Sequence, residues 1–199
     1  MNLDHIIQER IDEHLQVVGL LKNDSKFLTN LSEISNVITE CFKSGGKLLI
    51  CGNGGSAADS QHLATELVSR FFLERKALDA EALTVNTSTL TAVANDYSFD
   101  KVFSRQLEAK GKEGDVLLAI STSGNSKNVI EAIKAAKSIG IKTIGFAGNN
   151  RDSLICKMSD YYVSIPSNST PRIQEAHILL GHIICEIVER YLFEKGEDV

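Results

Sequence analysis

Residues Cys51 to Glu66 read CGNGGSAADSQHLATE, and no other stretch of this chain holds as much potential chemistry. The apolar run Leu48-Leu49-Ile50 ends there in a polar, glycine-rich loop, Asn53-Gly54-Gly55-Ser56, and a helical pattern follows. His62 and Glu66 stand four residues apart in that pattern, so they share one helix face. Glycines let backbone N–H groups approach a ligand closely. An imidazole beside a carboxylate can move protons or ligate a metal. The combination suits a small polar anion held beside acid–base or metal chemistry. An arbitrary His/Glu pair is more often a solvated helix face; the adjoining glycine loop gives this one its functional reading.

A second loaded loop, Ser121-Thr122-Ser123-Gly124-Asn125-Ser126, follows the apolar run Val116–Ile120 and precedes a helical pattern from about Lys127. Hydroxyls converging on a helix N-terminus can bind a phosphate monoester without burying a counter-charge. The plainer alternative is an N-cap and a polar turn; the density of Ser and Thr favours the phosphate cradle. Neither loop has the GxGxxG spacing of a dinucleotide site or the Gly-Lys-Ser/Thr of an NTPase loop.

Other candidates carry weaker signals. His182 sits in the apolar stretch Ala176-His177-Ile178-Leu179-Leu180-Gly181-His182-Ile183-Ile184, where a lone histidine is more often a satisfied core residue. Gln174 and Glu175 lie near that helix's start, with Pro171 suited to the first helical position. Two histidines and a glutamate can ligate zinc or transfer protons, and spacing does not choose between these. Asn95-Asp96 reads as a cap or turn. Arg70 reads as an i,i+4 partner of Glu66. Cys51 reads as a buried strand-end residue, since no neighbour argues for a lowered thiol pKa.

These residues need elements to position them. Apolar residues at three-to-four spacing predict an amphipathic helix over residues 3–21, carrying Leu3, Ile6, Ile7, Ile11, Leu15, Val18 and Leu21. A second follows Asn23-Asp24-Ser25, with a stripe from Phe27 to Phe42, and ends at Gly45-Gly46. These two helices either cover one sheet face or pack against another subunit. Strands are expected at Lys47–Cys51, Ala82–Val85, Val116–Ile120, Thr143–Ala147 and Tyr161–Ile165. Helical patterns fall between them at Ala58–Glu74, Thr89–Ala94, Val102–Lys110, Asn128–Ile139 and near Ser153–Met158, and a last one runs from about Pro171 to Glu194. Continuously apolar strands alternating with helices predict an α/β protein with a doubly wound parallel sheet. The boundaries fall at 1–45 for the N-terminal helices and 46–199 for the sheet domain, within one structural unit.

The chain has 199 residues, 43% hydrophobic and 24% charged, with net charge −5. An acidic balance argues against nucleic acid as the main partner. No apolar run approaches the roughly 20 residues that span a bilayer, and the charged, amphipathic N-terminus does not read as a signal peptide. The four cysteines form no CxxC pair. They read as free thiols in a reducing compartment, which places the expected location in the cytoplasm.

Several motifs in order carry a resemblance over nearly the whole length: CGNGGSAADSQHLATELVSRF, NTSTLTAVANDYSFDKVFSRQ, LLAISTSGNSKNV and RIQEAHILLGHIICEIVE. The chain resembles the sugar-isomerase (SIS) domain proteins and, among them, the sedoheptulose 7-phosphate isomerases. The resemblance implies a five-stranded parallel sheet flanked by helices, a homotetramer with active sites between subunits, and conversion of sedoheptulose 7-phosphate to D-glycero-D-manno-heptose 7-phosphate. It matches Asn53, Gly54 and Gly55 to a substrate-contacting loop, and Asn95 and Asp96 to further substrate contacts. Ser121, Thr122, Ser123 and Ser126 match the phosphate cradle. His62, Glu66, Gln174 and His182 match positions that hold one zinc ion per subunit, with Glu66 and Gln174 also facing substrate. Glu66 and His182 match the acid–base pair. Where some members carry an aspartate three residues before the glutamine, this chain has Pro171. Gln174 and His182 differ by about 12 Å in height along one straight helix. They reach one ion by leaning together or by coming from different subunits. A related branch binds the bacterial replication initiator without catalysis. It lacks the glutamate and second histidine, so keeping Glu66 and His182 favours an enzyme. Isomerisation of a different phosphosugar stays open, because sugar length is read by pocket shape.

Overall fold

The structure is a computed structural model that describes residues 2–194; the predicted sheet domain's last residues, 195–199, lie outside them. Two helices come first, α1 (Leu3–Lys22) and α2 (Ser25–Lys43). Asp24 begins α2 by accepting from Lys26 N and Phe27 N, which satisfies two otherwise free N–H groups. Then β1 (Leu48–Gly52), α3 (Gly55–Val68), β2 (Ala80–Ala82), α4 (Thr87–Asp96), a 3₁₀ turn (Phe99–Lys101) and α5 (Ser104–Lys110) follow. The remainder is β3 (Val116–Ile120), α6 (Lys127–Ile139), β4 (Lys142–Ala147), α7 (Leu154–Met158), β5 (Tyr161–Ser164) and α8 (Thr170–Phe193).

The five strands are parallel, in the order β2-β1-β3-β4-β5. Every residue of β1 and β3 is buried, because successive side chains point to opposite faces and helices cover both. Leu48, Ile50, Val116, Leu118, Ile120, Ile144 and Phe146 point into one core, with α1, α2, α3 and α8. Leu49, Cys51, Leu117, Ala119 and Ala147 point into the other, with α5, α6 and α7. The helices that carry His62, Glu66 and His182 therefore share one face of the sheet, and the helix behind the serine loop lies on the other.

Three expectations shift. The edge strand β2 falls at Ala80–Ala82 rather than Ala82–Val85; Leu83 still donates to the Ile50 carbonyl, but the chain turns there toward α4. Its Ala-Glu-Ala sequence is short and holds no β-branched or aromatic residue to mark the pairing. The helix expected over Ala58–Glu74 starts at Gly55 and stops at Val68, and the one expected over Val102–Lys110 is a 3₁₀ turn followed by α5. Among the described residues no helix is long and apolar enough to cross a membrane, and the four cysteines are free and buried.

Candidate active site

From β1 the chain moves outward to β2, then returns across the sheet to β3. The order therefore reverses between β1 and β3, and in open α/β sheets ligands bind beyond the strand ends at such a point. Both loaded loops lie there. The Asn53 and Asn128 carboxamides join them, each Nδ2 donating to the other's Oδ1 at 2.9 and 2.8 Å. Asn128 is buried in the first turn of α6. From sequence it was only the start of a helix, and nothing in its spacing pointed at Asn53.

The glycine loop depends on its missing side chains. Gly54 precedes α3 at φ +55° and ψ −121°, a conformation open in practice to glycine alone. A Cβ on Gly55 would lie 2.5 Å from Gln174 Nε2, so the Gln174 carboxamide occupies the space that a side chain at Gly55 would fill. Gln174, near the start of α8, is thereby seated over the loop after β1.

In the second loop, Ser121 Oγ lies 2.8 Å from Ser126 Oγ and 3.3 Å from Ser123 Oγ. Asn125 N donates to Ser123 Oγ, and the Thr122 carbonyl accepts from Gly148 N. Ser126 is the residue before α6, yet its side chain makes no capping bond. Its hydroxyl turns toward Ser121 instead, so this is a cluster of hydroxyls at a helix N-terminus rather than a cap. An anion here would meet hydroxyl and backbone donors and the positive end of α6.

The acid–base candidates come from α3 and α8. His62 Nε2 lies 2.8 Å from His182 Nε2 and 3.3 Å from Glu66 Oε1. One ligating atom from each of His62, Glu66 and His182 lies within 4.8 Å of the others. At 2.8 Å one imidazole donates and the other accepts. Two imidazole nitrogens and a carboxylate oxygen form the donor set of a three-ligand zinc site with an open fourth position, so the residues present fit zinc. His182 is thus not the satisfied core histidine that its apolar surroundings suggested. The core histidine is instead His177, buried against β4 with Nε2 3.2 Å from the Ala147 carbonyl oxygen and Nδ1 without a partner among the described residues. Burial pushes His177 down to about 4 and pushes the Cys51 thiol up to about 12, so Cys51 stays protonated and inert. Burial also raises the Asp59 carboxyl, against the pull of His62 one turn along α3.

Asn95 and Asp96 are exposed at the end of α4, with Asn95 Nδ2 donating to Asp96 Oδ1 at 2.9 Å. Among the described residues that bond ties them to each other and to none of the other candidates. Arg70 does not pair with Glu66. α3 has ended at Val68, which takes Arg70 off the helix face, and its Nη1 lies 3.7 Å from Glu74 Oε2.

The SIS domain model matches residues 20–148, about two thirds of the chain. A phosphoheptose isomerase of Clostridium acetobutylicum is 50% identical over 199 residues, covering 99% of each chain. This chain belongs to the SIS-domain family. Within the family it groups with the phosphoheptose isomerases; one from Desulfovibrio desulfuricans is 54% identical over 83% of this chain and 79% of the relative. The solved phosphoheptose isomerase of Francisella tularensis superposes with a TM-score of 0.90 at 33% identity, covering 96% of this chain and 100% of the other. That of Neisseria gonorrhoeae gives 0.87 at 39%, covering 94% and 99%. The SIS-domain match ends at residue 148, so α8 and its His182 lie beyond it; the full-length relatives span them.

Proposed function

We propose that this SIS-domain chain is an aldose–ketose isomerase that converts sedoheptulose 7-phosphate to D-glycero-D-manno-heptose 7-phosphate. That would be the first step toward activated heptose for lipopolysaccharide or other surface glycans. The observation that carries the reading is the convergence of His62, Glu66 and His182 beside the sheet's switch point. Kinship with the phosphoheptose isomerases supports the choice of sugar.

The reaction moves a proton between C1 and C2 through an enediol(ate). Glu66 takes the C1 proton of the open-chain ketose and returns it at C2, as a carboxylate within hydrogen-bond reach can do. His182 protonates the C2 carbonyl oxygen as negative charge develops on it, and takes the O1 hydroxyl proton back as the C1 aldehyde forms. Ser121, Thr122, Ser123 and Ser126 hold the remote phosphate, so its binding energy positions the reacting end. Asn53, Gly54 and Gly55 line the sugar, with Gln174 over the loop. Asn95 and Asp96 supply further substrate contacts. His62, Glu66 and His182, joined by Gln174 at the position those three leave open, would hold zinc, which would supply Lewis-acid polarisation of the carbonyl oxygen when bound. The chain works as a cytoplasmic homotetramer. The exposed apolar residues Leu3, Ile7, Ile11 and Leu15 on α1, and α4, which buries none of its residues, support assembly.

The test is an isomerase assay with sedoheptulose 7-phosphate, before and after chelation and zinc readdition. Turnover that falls on chelation and returns with zinc is expected. No turnover in any metal state overturns the reading.

A further inference from the structure

Past the end of α3 the chain makes a compact loop, residues 69–76, and returns to the sheet. Glu189, two turns along α8 from His182, reaches into that loop. Its carboxylate accepts from three consecutive backbone groups, Phe71 N at 3.0 Å, Phe72 N at 2.6 Å and Leu73 N at 2.9 Å. It also accepts from Arg75 Nε at 3.0 Å. The same guanidinium turns its other nitrogens on the end of α3. Nη2 donates to the Glu66 carbonyl at 2.9 Å, and Nη1 donates to Leu67 O at 2.6 Å and Ser69 O at 2.8 Å. Both side chains are 1% exposed.

The last carbonyls of a helix have no partner within it and carry its negative end. Arg75 satisfies those of Glu66 and Leu67 with a buried cation, and Glu189 balances that cation from the neighbouring helix. The Glu66 backbone is thereby bonded to a group held by α8. Gly181 sets the other contact between these helices, since a Cβ there would come within 2.5 Å of the Leu63 side chain. Leu63 follows His62, and Gly181 precedes His182. The clasped loop also delivers Phe71, whose ring centroid lies 5.7 Å from that of His182.

We propose that Arg75 and Glu189 are positioning residues: their buried pair holds the end of α3 to α8 and so fixes Glu66 and His182 in register across the two helices, with Phe71 setting the His182 ring. Neither residue touches substrate. This rests on the isomerase reading for its effect on turnover, but its structural claim stands apart from that reading.

The test uses the full chain with Glu189→Gln, Arg75→Lys and Phe71→Leu. Phe71→Leu disturbs no buried charge and keeps the question answerable if both charge variants fail to fold. Two properties are measured: the kcat and KM for sedoheptulose 7-phosphate, and the ¹H–¹⁵N imidazole signals of the metal-free protein. Displacement of supporting groups typically costs about 10–100-fold. The folded charge variants are expected to lose kcat by about that factor, with KM changed less than about threefold because the serine loop is untouched. Phe71→Leu is expected to lose less. In all of them the His62 and His182 signals move, while those of His177, held against β4, stay in place. Folded variants with wild-type kcat and unmoved His62 and His182 signals overturn the proposal. If the wild-type chain turns over no heptose phosphate, the isomerase reading fails, and the imidazole signals still decide whether the clasp sets the two side chains.

Discussion

Glu66 is asked to carry the proton between C1 and C2, and a carboxamide of the same shape cannot do so. Glu66→Gln is expected to lower kcat by about 10²–10⁴-fold while phosphosugar binding, measured by calorimetry, is kept. Near-normal turnover by this variant would remove Glu66 from its role. His177 makes a different kind of prediction. Its folded-state pKa is depressed from 6.5 to about 4 by burial, so the unfolded chain takes up the proton first. The stability it lends is complete above pH 6.5 and is lost as the pH falls toward 4. The loss is about 3 kcal/mol at most. Denaturant titrations between pH 7 and 4 should show that slope in the wild type and lack it in His177→Gln. The two histidines of α8, five residues apart, are told apart only by what they face. His177 looks into the core under β4, and His182 looks across at His62. Both sit in one apolar run, and helix periodicity does not say which meets a polar partner.

At the scale of elements, the site is a crossing of two helices over one sheet edge. α3 and α8 approach closely because Gly181 leaves room for Leu63. Gly181→Val would place branched carbons where the Leu63 methyl groups lie, and overpacking of this kind costs about 1–3 kcal/mol. Thermal melting should register that cost. Turnover should fall by more than the loss of folded protein explains, because His62 and His182 are forced apart together. A variant destabilised as expected but fully active per folded molecule would show that the crossing distance does not matter. Helix existence and strand existence were legible from apolar spacing. The errors lay where local signals are weak. β2 is three residues of Ala-Glu-Ala, paired because β1 needs a neighbour, and the end of α3 is set by Arg75 and Glu189 from outside the helix. The stretch after Val68, Ser69-Arg70-Phe71-Phe72-Leu73-Glu74, continues a helical pattern in sequence, but the backbone N–H groups of Phe71, Phe72 and Leu73 are committed to Glu189.

For the whole molecule, the apolar surface argues for more than one copy. α1 buries only Val17 and Leu21. Leu3, Ile7, Ile11 and Leu15 stay more than half exposed, and the helix is held to α8 through His14 Nδ1, 2.8 Å from Glu175 Oε2, and Arg172 Nη1 on the Arg10 carbonyl. A stripe of this kind on a protein surface marks an interaction face. Light scattering should report a tetramer for the wild type, and Ile7→Glu with Ile11→Glu should give smaller species. A wild-type monomer at micromolar concentration would contradict the assembly. Loss of the tetramer is also expected to lower turnover, since among the described residues the proposed substrate contacts Asn95 and Asp96 bond only to each other and not to His62, Glu66 or His182.

Apolar periodicity, buried strands and the order of helices and strands are local properties, and from them the sequence alone determined the α/β class, the parallel sheet and the placing of the two polar loops at strand ends. Motif order added the family. The remaining decisions belong to side chains far apart in sequence. The Asn53–Asn128 exchange spans 75 residues and the meeting of His62 with His182 spans 120. The Arg75–Glu189 pair spans 114. No local pattern encodes such pairings, because each depends on which strand ends adjoin in the sheet and how closely two helices cross. Only the tertiary structure decided which histidine meets His62, where α3 ends, and which side chains clasp α3 to α8.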